Sequence, residues 1–215
     1  MTNILTVHFT KPILNSVLAA LPTTKDSAPV IHYAALYRDG TLVASDRYSL
    51  IKVDPSAKDH NNNNNNNDDP VALLSKDALK ALIRATPARL HLQEGTPYYL
   101  DLDDPQGAIL NVDQQPVTFA VTEATPDTYP SAKPSGYPRV LSFFPDDPTA
   151  TPPVDPEAAG LSHTTLNTAL KVCKALNQPF TFKHSTNKGM AFLNTFETTT
   201  NHTVTLVTMR VNIPK

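Results

Sequence analysis

A single cysteine, Cys173, excludes an internal disulfide, and its spacing with Leu166, Ala169 and Leu170 makes it a buried structural thiol on a helix. No apolar run approaches the roughly 20 residues that cross a bilayer, and the N-terminus has no charged start followed by an apolar stretch. The chain therefore reads as a soluble, cytoplasmic protein, and Asn201-His202-Thr203, a glycosylation pattern, has no consequence in that compartment. With only 6 glycines there is no phosphate-cradling Gly-rich loop. There is no nucleophile elbow and no pair of carboxylates spaced for acid–base work, so the sequence does not read as an enzyme. The net charge is only −2, with no overall basic excess to hold nucleic acid by bulk charge alone.

What is present is a separation of charge. Apolar residues recurring at three- and four-residue spacing predict helices over Pro12–Leu21, Ser75–Thr86 and Ser162–Leu176. Their flanks and polar faces carry Lys11, Lys76, Lys80, Arg84, Lys171 and Lys174 against one acid, Asp77. On the second helix Lys76, Lys80 and Arg84 are spaced to form one ridge. On the third, His163, Asn167, Lys171 and Lys174 share a face opposite the Leu166 stripe. Most charge runs are solvated faces, but a solvated helix usually mixes signs for mutual support. Helices this uniformly basic point to phosphate contact.

The first helix has Thr10 as a cap, Pro12 in the first turn, and Leu14, Val17, Leu18 and Leu21 on one face. Pro22 ends it. A strand is expected before it over Ile4–Phe9. Two more are expected after it, Val30–Tyr37 and Thr41–Val53, joined through Asp39-Gly40. Ser75 caps the second helix, with Leu79, Leu82 and Ile83 inward, and Pro87 stops it. Short strands then fall at Arg89–Gln93, Tyr98–Leu102, Ala108–Val112 and Val117–Val121. Ser162 starts the third helix, with Leu166, Ala169, Leu170, Cys173 and Leu176 inward. Strands follow near Phe180–His184, Met190–Phe196 and Thr203–Val211, with a turn at Asn187-Lys188-Gly189.

Three occurrences of helix then meander, roughly 65 to 85 residues apart, predict an α+β fold of repeated units with helices on one face of curved antiparallel sheets. The asparagine run within 57–69 has nothing to bury and reads as a disordered loop. Proline crowds 126–156 and excludes continuous helix or central strand, which marks a linker; only Arg139–Phe144 can add a short strand within it. The expected organisation is a complete domain over 1–137, that linker overlapping its end, and a smaller half-domain over 157–215.

Other constellations are weak. Asp101, Asp103 and Asp104 precede Pro105-Gln106-Gly107 and fit a hairpin turn better than a metal site. The histidines are scattered singly, without ligand spacing. No metal or cofactor is expected. Nothing resembles a recognition helix, a zinc finger or an aromatic stacking platform, so any DNA contact is expected to be weak and blind to sequence.

Gly40–Leu50, which reads GTLVASDRYSL, resembles the signature of the bacterial sliding clamp, the beta subunit of DNA polymerase III. In that family a strand reads Leu-x-Ala-Thr-Asp-Gly-His-Arg-Leu. The likeness continues with Leu73–Leu79 where the family's second helix begins, with an aromatic-Pro pair at Tyr129-Pro130 or Tyr137-Pro138, and with Val207–Val211, similar to the family's Met-Pro-Met-Arg-Leu terminus. Arg47, Tyr48 and Ser49 stand where the family has Gly, His and Arg, and Thr208 replaces the terminal Pro. A clamp domain holds two helix–meander units; three are counted here.

The resemblance implies helices lining a channel around duplex DNA, a sheet as outer wall, and retention by topology, with loose contacts that permit sliding. It implies a homo-oligomer, no membrane, and partners that are DNA polymerase and clamp-loader peptides, with Tyr48, Leu50, Val207 and Met209 carried over to the partner pocket. Two other expectations compete. One is a non-ring adaptor or decoy that binds replication proteins. The other is a structural assembly protein whose sheet edges pair between copies and whose basic helices are merely solvated.

Overall fold

The computed structural model describes residues 4–23, 29–37, 39–55, 70, 72–84, 88–93, 98–100, 108–109, 117–120, 122–123, 137–144, 160–182, 184–185, 191–198 and 202–211. Strand β1 (Ile4–Phe9) leads into helix α1 (Lys11–Ala19). Strands β2 (Ala34–Leu36), β3 (Leu42–Ser45), β4 (Ser49–Asp54) and β5 (Ala72–Leu74) precede helix α2 (Lys76–Arg84). Short strands β6 (Ala88–Gln93), β7 (Tyr98–Leu100), β8 (Ala108–Ile109), β9 (Val117–Ala120) and β10 (Thr122–Glu123) follow. Helix α3 (His163–Leu176) and strands β11 (His184–Ser185), β12 (Ala191–Glu197) and β13 (Thr203–Met209) close the order.

The fold is mixed α+β, with three helices among the described residues. Helix starts follow the expected chemistry at two of them. The Ser162 hydroxyl accepts from the Thr165 amide (3.1 Å), and the Ser75 hydroxyl accepts from the Ala78 amide (3.1 Å). Thr10 holds the extended cap conformation before α1 but makes no side-chain cap bond. Asn177 ends α3 in the left-handed region (φ 54°), letting the Gln178 amide reach the Cys173 carbonyl (2.9 Å).

One sheet carries nine strands in the order β10-β7-β5-β2-β3-β4-β13-β12-β11, and a second carries four, β1-β6-β9-β8. From β5 to β11 every pairing is antiparallel. The strands of the first and third expected meanders pair antiparallel with their sequence neighbours, over shorter stretches than expected. The second meander does not form: β6 pairs along its whole length with β1, and β9 adds to β6 in parallel, while β7 joins β5 in the other sheet. Pairing with a six-residue partner outcompetes pairing with short sequence neighbours.

Side chains alternate across the large sheet, and the two faces are covered differently. Ala34, Leu36, Leu42, Ala44, Ile51, Val53, Leu74, Val204 and Leu206 join Ile13, Leu14 and Val17 of α1, Leu79 and Leu82 of α2, and Ala169, Val172 and Cys173 of α3 in one buried cluster. Each large aliphatic so buried contributes roughly 1.5–3 kcal/mol. Helix α1 packs against both α2 and α3. On the opposite face Ala35, Val43, Leu50, Leu73, Ala191, Leu193 and Val207 are covered by Tyr137, Val140 and Phe144.

The ladder between β4 and β13 runs for six residue pairs, from Thr203 opposite Asp54 to Thr208 opposite Ser49. Residues assigned from sequence to a domain at 1–137 and to another at 157–215 therefore share one sheet and one apolar cluster.

Several local expectations are corrected. Val30–Tyr37 is not one strand: Pro29–His32 forms a 3-10 turn, begun at a proline, before β2. Thr41–Val53 is broken at Asp46–Tyr48. Arg139–Phe144 is not a strand, because Leu141–Phe143 forms a 3-10 turn, with the Ser142 hydroxyl donating to the Arg139 carbonyl (3.1 Å). Of the described residues in Phe180–His184 only His184 is in a strand; Thr181 is held instead through its amide and hydroxyl on Asn194 Oδ1 (2.8 Å each). On α3 the inward stripe is Thr165, Ala169, Val172 and Cys173, and Leu170 is half-exposed, since the helix is turned by about one residue from the expected face. The 57–69 loop, the Asn187–Gly189 turn, Tyr129-Pro130, Asp101, Asp103 and Asp104 lie outside the described residues, as does most of 126–156.

Candidate partner and DNA-contact surfaces

Strand β3 cannot continue into β4 because Asp46 turns the chain. Its Oδ1 accepts from the Tyr48 amide (3.0 Å) and the Ser49 amide (2.6 Å), mimicking a backbone turn. The Ser45 hydroxyl donates to the Ser49 carbonyl (3.0 Å) and accepts from the Arg47 amide (3.1 Å). Between these anchors Arg47 sits at φ 81°, a left-handed conformation that costs a non-glycine residue about 1–2 kcal/mol. The neighbouring hairpin obeys the glycine rule: Gly40 takes φ 85° beside Asp39, whose carboxylate accepts from the Thr41 amide and hydroxyl (2.9 Å each).

The turn delivers Tyr48 to the end of β13, where the Met209 amide donates to the Tyr48 carbonyl (2.8 Å). Directly behind, Leu50 stands opposite Val207. Both are buried, whereas Tyr48 is 54% and Met209 44% exposed. The four residues carried over from the resemblance are thus brought together: a buried pair at the base and an exposed pair at the rim. Phe143 and Val211 are exposed apolar side chains as well, on segments that pack with the same face or continue β13.

The segment over this face was expected to be a linker with at most a short strand at Arg139–Phe144. In the described part, Tyr137, Val140 and Phe144 are buried against the sheet, and the Lys52 ammonium lies 5.3 Å from the Phe144 ring centre. Lys52 is oriented by Asp54 at 2.9 Å. Burial, and then the neighbouring Tyr37, push the Tyr137 phenol upward in pKa. The sequence of Tyr137–Phe144 offered only a short strand at Arg139–Phe144, and no sequence rule located the face that the segment covers.

The basic helical residues divide into two groups. Lys76 is half-buried and its ammonium donates to the Pro22 carbonyl; burial, then Lys80, lower its pKa. Lys80 pairs with Asp77 at 2.8 Å, a bond that holds the Asp77 carboxyl below its usual range. Lys11, Arg84, Lys171 and Lys174 are exposed, and no described carboxylate forms a salt bridge with them. On α3 His163, Asn167, Lys171 and Lys174 are all exposed on one face, as their spacing predicts. Cys173 is buried on the other side, and burial pushes its thiol up to about 11.

Helix α3 is tied to the turn described above: the Thr168 hydroxyl donates to Asp46 Oδ2 (2.9 Å). Sequence reasoning missed this bond, which joins residues 122 positions apart. Among the described residues no three His, Cys, Asp or Glu side chains gather to hold a metal, and no helix is long and apolar enough to cross a membrane. Compared with models of known protein families and with curated proteins, the chain matches none.

Proposed function

We propose that this chain is a clamp-like DNA-contacting protein, similar in design to the bacterial sliding clamp, that holds duplex DNA without reading its sequence and tethers a polymerase or loader. The observation that carries the reading is a convergence. Segments that resemble the clamp family, at Gly40–Leu50, Leu73–Leu79, Tyr137-Pro138 (the alternative to Tyr129-Pro130) and Val207–Val211, are far apart in sequence, and Leu50, Leu73, Tyr137 and Val207 of them share one buried cluster on one face of one sheet. Helix α3, whose exposed Lys171 and Lys174 form no salt bridge with a described carboxylate, packs on the opposite side, so DNA and a partner peptide would approach without competing.

The chemistry suits those roles. Exposed lysines on α3 give a screened attraction to phosphates with no donor pattern for base edges, so the energy along a duplex stays level and the protein can slide. Tyr48 and Met209 offer an adaptable apolar rim, the kind of anchor that carries most of an interface's energy. The partner is an apolar peptide from a replication protein, and the working form is a homo-oligomer.

Molar mass by light scattering, with and without primed circular DNA, tests the reading. A closed oligomer retained on circular DNA and lost on linearisation is the expected result; a monomer indifferent to DNA topology would favour a non-ring adaptor. Lys171→Glu with Lys174→Glu should also lower the logarithmic salt slope of DNA association by about 2, roughly 0.9 per phosphate contact. An unchanged slope would remove α3 from the DNA surface.

A further inference from the structure

We infer that Asp46 is a positioning residue that couples the DNA-facing helix α3 to the partner surface, an inference that rests on the function proposed above. One carboxylate does two jobs. Its Oδ1 gathers the Tyr48 and Ser49 amides, and its Oδ2 accepts the Thr168 hydroxyl from α3. Between the two amides and the strand before them, Arg47 is kept in the left-handed region, a conformation that persists only where its surroundings over-determine it. Ser45 restrains the same turn from β3, and the Met209 amide holds the Tyr48 carbonyl from β13. Tyr48 therefore sits where it does because four groups agree, and one of them belongs to α3.

Thr168 is placed to transmit a load. It follows Asn167 and precedes Lys171 on α3, at the flank between the exposed basic face and the buried stripe. A phosphate held by Asn167, Lys171 and Lys174 biases the position of the helix, and the hydroxyl carries that bias to the carboxylate. The coupling we propose requires a second state of the turn, in which Arg47 leaves the left-handed region and Tyr48 withdraws from the Met209 rim. Because the coupling is a free energy shared by two sites, DNA that favours the observed turn tightens partner docking, and a docked partner tightens DNA by the same factor.

The test is a titration of the isotopically labelled full chain with a short blunt-ended duplex, following amide resonances of Arg47, Tyr48 and Ser49 beside those of α3. The expected result is that the turn and helix resonances move with one midpoint. In Thr168→Val, which keeps the shape and removes the hydroxyl, the helix response survives and the turn response is lost. A thermal melt confirms that this variant is folded. Helix shifts without turn shifts in the parent protein would overturn the coupling while leaving DNA binding intact. Turn shifts that persist undiminished in Thr168→Val would overturn it too, by showing another route. No shift anywhere would remove the DNA reading itself, and this inference with it.

Discussion

The two faces of the nine-stranded sheet are built from alternate residues of the same strands, yet they differ in kind. The helix face is mostly aliphatic and closed, with Ile51, Leu206 and Val204 at zero exposure under three helices. The opposite face is richer in aromatics, is covered in its described part by Tyr137–Phe144 and by Val30 and Tyr33, and ends in an exposed rim at Tyr48 and Met209. On the proposed function, a face that must only be stable is filled, and a face that must also receive a partner is left unfinished at one end. The comparison implies that substitutions one residue apart should act on different properties.

The largest effect should come from the filled face. Leu206→Ala removes a side chain enclosed between α3 and the sheet and should lower stability by about 2–5 kcal/mol in denaturant unfolding. Phe144→Ala sharpens the comparison from the other side. If Tyr137–Phe144 belongs to the core of the outer face, loss of that ring and its contact with Lys52 should cost about 3 kcal/mol. A change below about 0.5 kcal/mol would return the segment to the status of a linker.

A smaller and more discriminating effect is expected at the helix starts. Ser162→Ala should cost about 1 kcal/mol, because its hydroxyl satisfies the Thr165 amide at the start of α3. Thr10→Ala should cost only a few tenths, since Thr10 makes no such bond and Pro12 already lacks one of the orphan donors. Equal losses in paired thermal melts would mean that cap geometry does not decide helix stability in this chain.

These contrasts show what the sequence made legible. Periodicity located all three helices to within one or two residues at their starts, and alternation located β1, β12 and β13, because both signals are local. It failed wherever a distant partner decided the outcome. The β4–β13 ladder, the seating of Tyr137–Phe144 and the Thr168–Asp46 bond join residues far apart, and nothing in either partner alone announces the other. The break at Asp46–Tyr48 had a usable signal that strand hydrophobicity masked: an aspartate two residues before an amide it can accept. The proposed partner-site residues Tyr48, Leu50, Val207 and Met209 were named through resemblance, whereas their division into buried base and exposed rim needed the structure.

The smallest effect on stability should fall on the unfinished end of the outer face, and it is the one that bears most on function. Met209 is half-exposed at the last position of β13, and the hydrogen bond its amide donates to the Tyr48 carbonyl involves only the backbone. Met209→Asp should therefore change stability by less than about 0.5 kcal/mol, as surface substitutions away from caps and cores usually do. Its effect on docking should be far larger, because an apolar partner would have to bury a carboxylate left without a counter-charge. Met209→Leu keeps the apolar volume and should retain docking. The measurement is retention of a polymerase on the immobilised chain beside a denaturant melt of each variant. Loss with aspartate, retention with leucine and unchanged melts would assign the rim to partner binding; retention by both would mean that Met209 is exposed for no reason connected with a partner.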